Sequence, residues 1–318
     1  MTRAVTILEP GLLATVQDGG RYGHRNAGVA IAGALDPLAL RLANRMAGNS
    51  GDCAALEITL GAARLQFEAP MRVALAGAEC NATLDGEPLA SWSCAFAHDG
   101  SVLQLGRPAR GMRTIVALGG GVDVPLALGS RSTDPSGFGG FEGRPLRAGD
   151  VVPIGAEPNA SRAAFRLLPP AWALPGDTIR ALDGSESDRF DRRVRQRFWE
   201  SAWLVTPQSN RMGYRLHGEA LEATNGSGTL PSHAVEPGVV QVPPDGQPIV
   251  LLADAQTTGG YPKIAVAVGA DRWRLAQIRI GERLRFERVS FDQARAARAE
   301  VERYLQAASA TIAAQVQR

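Results

Sequence analysis

Between Asp254 and Thr258 the chain places a carboxylate, a carboxamide and two hydroxyls on five residues, just before Gly259 and Gly260. Polar groups crowded against a buried segment need partners, which they find in each other, in water or in a ligand. A turn would spend Asp254, Thr257 and Thr258 on its own backbone. A binding site would spend them, with Gln256, on a substrate, and spacing leaves both readings open. Lys263 follows closely and is the sole lysine in a chain whose lysines and arginines number 34. A lysine kept where every other such side chain is arginine is either a place for a compact ammonium rather than a guanidinium fork or a chance survivor. Two further polar clusters carry glycine, which lets backbone come close to a ligand. One runs from Thr15 to Arg25 and includes Asp18 and Arg21; the other runs from Ser209 to Arg215 and includes Arg211 and Tyr214. Arg211 and Arg215 suit bidentate capture of a carboxylate or phosphate, with surface ion pairing as the alternative.

Several kinds of chemistry are excluded. Neither cluster has the spacing or the lysine of a phosphate-cradling P-loop, and no G-x-G-x-x-G follows a strand and opens a helix. Cys53, Cys80 and Cys94 are odd in number and lack metal-like pairing, so they are expected to be buried reduced thiols, and no metal site is expected. A net charge of +2, without basic runs interleaved with aromatics, argues against nucleic acid. The N-terminal residues Met1 to Pro10 lack an apolar signal core and no apolar stretch approaches a membrane span, so no membrane association and a cytoplasmic location are expected.

The elements that must position these residues are mostly short strands. Pro243-Pro244-Asp245-Gly246 is a turn and Ile249 to Ala253 a buried strand leading into the first cluster. Strands are expected at 55–59, 64–67, 72–76, 81–84 and 178–182, punctuated by glycine and proline, which favours a sandwich or barrel over a doubly wound sheet. Gly100, Gly149 and Gly281 each open a similar alternating segment, a weak internal echo consistent with more than one barrel. Asp36-Pro37 starts a helix with Leu38, Leu42 and Met46 on one face, and a second helix is expected from Asp188 to Trp203. Ser290 and Gln293 match a capping box opening a long terminal helix with Ala294, Ala297, Val301, Leu305, Ala308 and Ile312 on one stripe. With 318 residues there is room for two domains, and the stretch from Ala156 to Gly176, rich in Pro, Ala and Arg, is the expected boundary.

Eight segments occur in an order that can be compared with a known family: T-V-Q-D-G-G-R-Y-G from Thr15, G-A-L-D from Gly33, A-L-E-I-T-L-G from Ala55, G-G-V-D-V-P from Gly120, G-S-R-S-T-D from Gly129, G-G-F-E-G-R from Gly139, S-N-R-M-G-Y-R-L from Ser209, and the stretch from Gln241 to Ala265. They resemble the allophanate hydrolase subunit 2 family, also called the biotin-dependent carboxyltransferase family. Within it they are most similar to the C-type branch of ATP-dependent 5-oxoprolinase components. The resemblance covers nearly the whole chain and implies a mainly β fold: two cyclophilin-like β-barrel domains in tandem, 1–165 and 166–289, with a few helices and a C-terminal helix, 290–318. It implies complex formation with a B-type homologue, of the allophanate hydrolase subunit 1 type, and with an A-type lactam-utilisation component. The reaction implied opens 5-oxo-L-proline to L-glutamate at the expense of ATP, with Mg²⁺ accompanying ATP in the complex and no biotin on this chain. Other branches imply a carboxyltransferase component of a urea-carboxylase-type enzyme, or a non-catalytic regulatory subunit of the KipA type.

On this reading Arg211, Lys263, Asp254 and Gln256 are the catalytic candidates, and Asp18, Arg21, Tyr214, Thr257 and Thr258 the substrate-binding ones. Arg211, Lys263 and Arg21 would meet developing negative charge, while Asp18 and Asp254 would hold Mg²⁺ or orient an arginine. The chain departs from the family pattern at Pro135 to Phe138, a shorter and stiffer loop, at Asp183, where proline is common, at Ala234, where glycine is usual, and at Lys263, where arginine also occurs. At that last position a positive charge is the safer role than a nucleophilic amine.

Overall fold

A computed structural model of the chain describes residues 3–157, 162–169, 176–224 and 230–316, so much of the expected Pro-rich boundary lies outside the described residues. The chain divides into two compact units, one of Met1–Arg21, Ala32–Pro175 and Arg303–Arg318, the other of Tyr22–Ile31 and Gly176–Glu302. The fold is mainly β, with few helices and a long C-terminal one.

The first unit is organised by two long antiparallel strands, Met71–Leu84 and Val102–Leu118. The strands expected at 72–76 and 81–84 are one continuous strand, because Gly77 takes a φ of +98° and the pairing slips register repeatedly between Gly77 and Ala82. Such bulges bend a strand without ending it. Val102–Leu118 also pairs with Ala55–Thr59 and Ala63–Phe67, tying them into a ten-stranded sheet. Both strands are buried on both faces where they cross at residues 71–78 and 111–118. One face, with Val73, Leu75, Val116 and Leu118, joins Ile7, Leu65 and Phe67 in the core. Helix α1, Pro37–Met46, packs on the same two strands with Leu38, Leu42 and Met46 buried. Its start is as expected: Asp36 accepts a hydrogen bond from the Ala39 amide at 2.8 Å, with proline at the first helical position.

Seven strands of the second unit form a closed barrel in the order Thr178–Asp183, Lys263–Ala267, Val239–Gln241, Ile249–Leu251, Gly213–His217, Ala202–Val205 and Arg283–Arg288. Closure comes from a parallel pairing of Thr178–Asp183 with Arg283–Arg288, while the other neighbours run antiparallel. The predicted 188–203 helix is shorter, because Asp191 caps it by accepting from the Val194 amide at 2.8 Å and Phe190 stays extended. Helix α2 therefore spans Arg192–Glu200, and Trp203 sits in the following strand. Its ring is buried near Phe198, which stacks on Phe286 at 4.8 Å between centroids. The Trp203 indole N–H donates to the Phe198 carbonyl at 3.1 Å, so the polar edge of the ring is satisfied inside the core.

The terminal helix, Phe291–Val316, opens with the expected reciprocal cap: the Gln293 amide donates to Ser290 Oγ at 3.2 Å and the Ser290 amide donates to Gln293 Oε1 at 2.7 Å. Ala297 is buried with Val268, Ala270 and Val289, and Ala294 and Val301 pack beside them. Gly100, Gly149 and Gly281 all take φ near +80 to +90°, the turn conformation the sequence echo anticipates.

Removing the Phe198 ring, which packs against Trp203 and Phe286, leaves a cavity between them. Phe198→Ala is expected to lower the stability of the second unit by about 3–5 kcal/mol, read as a fall in the urea midpoint.

Candidate functional site

The second unit holds seven of the nine candidate residues, Arg211, Tyr214, Asp254, Gln256, Thr257, Thr258 and Lys263, and the first unit holds Asp18 and Arg21. The ladder explains how Arg211 and Asp254 meet across 43 residues. Gly213 pairs with Leu251, so a residue just before one strand faces a residue just after the other. Arg211 Nε donates to Asp254 Oδ2 at 2.8 Å and Nη2 donates to Oδ1 at 3.0 Å, with both side chains buried. The Asp254 amide donates to the Arg211 carbonyl at 3.2 Å, closing the loop on itself. Asp254 thus fixes the plane of a buried guanidinium, the geometry that bidentate pairing favours.

Lys263 opens its strand opposite Gln241 and is 3% exposed. Its Nζ lies within hydrogen-bonding range of His233 Nε2 and 3.6 Å from Glu186 Oε2, while His233 Nε2 lies 3.4 Å from Glu186 Oε1. Glu186 also accepts from the Lys263 backbone amide at 2.9 Å, which locks the carboxylate beside the ammonium. His233 is held by a two-stranded ladder in which His233 faces Gly259 and Ala234 faces Thr258. Burial pushes the Lys263 ammonium below its ordinary pKa, and the Glu186 charge and hydrogen bond oppose that shift. Burial works to raise Glu186, but the Ser185 hydroxyl, the Lys263 amide and the charges of Lys263 and His233 outweigh it, leaving its carboxyl below the usual range. A buried ammonium held between a carboxylate and a half-exposed imidazole is a compact positive charge that can meet an anion.

The remaining candidates have quieter places. The Tyr214 hydroxyl is buried and donates to the Ile278 carbonyl at 2.9 Å. The Thr257 carbonyl accepts from the Val235 amide at 3.0 Å, and Thr258 is exposed in the small ladder. Gln256 is exposed, and its Nε2 donates to Gln241 Oε1 at 3.4 Å. Both glutamines line a cleft of about 550 Å³ together with Asn210, Arg215, Asp245 and Tyr261.

In the first unit, Asp18 and Arg21 tie down the segment Ala127–Asp134. Asp18 accepts from Ser130 Oγ at 2.7 Å, Ser132 Oγ at 2.6 Å, the Gly20 amide at 2.9 Å and the Arg131 amide at 2.6 Å. Arg21 donates through Nε to the Ala127 carbonyl and through Nη2 to the Ser132 carbonyl, both at 2.9 Å, and its guanidinium lies over the Phe138 ring. These contacts do not fit a Mg²⁺ ligand role for Asp18, whose oxygens already accept four donors, nor for Asp254, both of whose oxygens are held by one guanidinium. Among the described residues no group of three or more His, Cys, Asp or Glu side chains is disposed to hold a metal ion. Among the same residues no helix is long and apolar enough to cross a membrane.

Sequence reasoning missed Glu186, His233 and Gln241. The scarcity of histidine, four in the chain, is a signal for His233. Glu186 and Gln241 sit in ordinary turn and strand contexts, and only the ladder brings them to Lys263.

The family described as carboxyltransferase domain, subdomain A and B, matches residues 27–288. A protein of Escherichia coli (strain K12), named as the C-type subunit of 5-oxoprolinase, is 47% identical over 302 residues, covering 94% of this chain and 96% of that one. One of the same name from Haemophilus influenzae is 41% identical over 303 residues, covering 95% and 96%. The crystal structure of the K. lactis urea amidolyase superposes with a TM-score of 0.88 at 28% identity, covering 97% of this chain and 20% of that one.

Two measurements test this geometry. Arg211→Ala leaves Asp254 buried without its guanidinium, and is expected to cost about 3–5 kcal/mol of stability in urea unfolding. Because Lys263 is the sole lysine, a sample labelled with ¹⁵N-lysine gives a single Nζ resonance, whose titration is expected below the ordinary lysine value. Glu186→Gln is expected to lower that midpoint further, since the carboxylate is what opposes the effect of burial. A group whose folded pKa is depressed in this way binds fewer protons folded than unfolded. Lys263 therefore adds stability as pH rises from its folded pKa toward the unfolded value of about 10.4.

Proposed function

Because the chain belongs to the carboxyltransferase domain family, subdomain A and B, we propose that it works as the C-type subunit of an ATP-dependent 5-oxoprolinase. The observation that carries this reading is the identity of 47% to a protein of that name across nearly the full length of both chains. In the reaction, 5-oxo-L-proline, ATP and water yield L-glutamate, ADP and phosphate. The complex includes a B-type homologue, of the allophanate hydrolase subunit 1 type, and an A-type lactam-utilisation component, and it operates in the cytoplasm without biotin on this chain.

A lactam resists hydrolysis because amide resonance makes its nitrogen a poor leaving group and its carbon a poor electrophile. Coupling to ATP turns the carbonyl oxygen into a phosphorylated leaving group, and fixed positive charge and hydrogen-bond donors favour that step. Arg211, oriented by Asp254, and Lys263, flanked by Glu186 and His233, are the charges this chain contributes. Gln256, Thr257 and Thr258 lie in the segment that pairs with the His233 strand and reaches Gln241, Tyr214 supports the barrel interior through Ile278, and Asp18 and Arg21 act through the Ala127–Asp134 segment they hold. ATP with its Mg²⁺ is bound by the complex, through groups other than the Asp18 and Asp254 carboxylates.

A second reading, a biotin-dependent carboxyltransferase component, is favoured by the likeness to the urea amidolyase structure. Coexpression with the B-type homologue, followed by addition of the A-type lactam-utilisation component, separates the two. Glutamate release that requires all three proteins, ATP and 5-oxoproline is the expected result; carboxyl transfer from a biotin carrier without lactam opening would replace it with the second reading. In the active complex, Lys263→Ala is expected to lower kcat by about 10²–10³ and Lys263→Arg to restore much of it.

A further inference from the structure

We propose that the outer wall of the second barrel, in the cleft between Arg215 and Gln241, binds a small carboxylic acid that also carries an amide carbonyl. Resting on the 5-oxoprolinase reading, its occupant is the lactam acid substrate.

The pairing register sets the site. Arg215 faces Ile249 across one ladder and Ile249 faces Gln241 across the next, so the three side chains stand in a row on one face of three adjacent strands. Their neighbours Tyr214, Val250 and Val240 are buried on the opposite face, inside the barrel, which leaves the row pointing outward. All three of the row line the same cleft, whose volume of about 550 Å³ falls in the range of small-molecule sites.

The polar groups of the row are uncommitted in a particular way. Gln241 is 1% exposed and its Oε1 accepts from Gln256, yet its Nε2 has no hydrogen-bond partner among the described residues. A buried carboxamide N–H₂ without an acceptor is unusual in a folded protein. Glycine at 259 is what leaves it room, since a Cβ there would lie 2.4 Å from that nitrogen. Arg215 is pinned by its backbone, its amide donating to Ser209 Oγ at 3.0 Å and its carbonyl accepting from Thr206, while its guanidinium has no ion pair among the described residues. Asn210 spends its Oδ1 on the Met212 amide and keeps its N–H₂.

The row thus offers a cation, then an apolar isoleucine, then an amide donor. Opposite residues on neighbouring strands stand about 5 Å apart. A carboxylate on Arg215, an apolar ring over Ile249 and a carbonyl accepting from Gln241 match that order, and 5-oxoproline has those three features on one five-membered ring.

The test uses the reconstituted complex, with Arg215→Ala and Gln241→Leu and unchanged urea midpoints as the control for folding. Each is expected to raise KM for 5-oxoproline about tenfold while leaving KM for ATP within about twofold. Inhibition by 2-pyrrolidinone, which lacks the carboxylate, is expected to be weak in the parent and to change little in Arg215→Ala. Values of KM for 5-oxoproline within about twofold of the parent in both variants would overturn the site and leave the 5-oxoprolinase reading standing. If the assembled complex releases no glutamate, the 5-oxoprolinase reading fails, and calorimetric titration of the purified chain with 5-oxoproline decides the site. Binding that both substitutions abolish upholds it, and no binding by the parent overturns it.

Discussion

Closure of the second barrel is the constraint from which its chemistry follows. Once Thr178–Asp183 pairs in parallel with Arg283–Arg288, each of the seven strands has two neighbours and the register of each ladder is fixed. A one-residue slip would turn Tyr214, Val240 and Val250 outward and bury Arg215, an exchange that no core would accept. The same register sets Arg211 against Asp254 and Lys263 against Gln241. Side chains far apart in sequence come to adjacent positions because the hydrophobic alternation of short strands permits only one alignment.

Electrostatics then differentiates two basic residues that composition alone would treat alike. Arg211 is neutralised by a single carboxylate in a forked, buried pair, so its charge is balanced and its orientation set. Lys263 shares Glu186 with His233, and burial works against its charge. A guanidinium would stay charged in that place regardless, whereas an ammonium responds to its surroundings.

Much of the fold is legible in the sequence. The Asp36-Pro37 helix start, the Ser290–Gln293 cap, the turn at Pro243–Gly246 and the barrel-like spacing of strands all rest on local chemistry, and all are found. The fusion of the 72–76 and 81–84 segments into one strand is not legible, since it depends on partner register and on bulges that only the long neighbour Val102–Leu118 supports. The overlong 188–203 helix has the same kind of cause: Phe190, Phe198 and Trp203 are core residues without being on one helix. Polar residues clustered near Asp18, Arg211 and Asp254 can be picked out by type. Which partner each one takes cannot: Ser130 and Ser132 reach Asp18, and Glu186 and His233 reach Lys263, through pairing between segments far apart in the chain.

The Asp18 carboxylate gathers two hydroxyls and one amide from residues 112 to 114 positions further along the chain. Closing so wide a span carries an entropic cost that few contacts repay until the intervening strands have assembled. The knot at Asp18 is therefore expected to be tied late in the acquisition of structure, once the sheet it fastens to is standing.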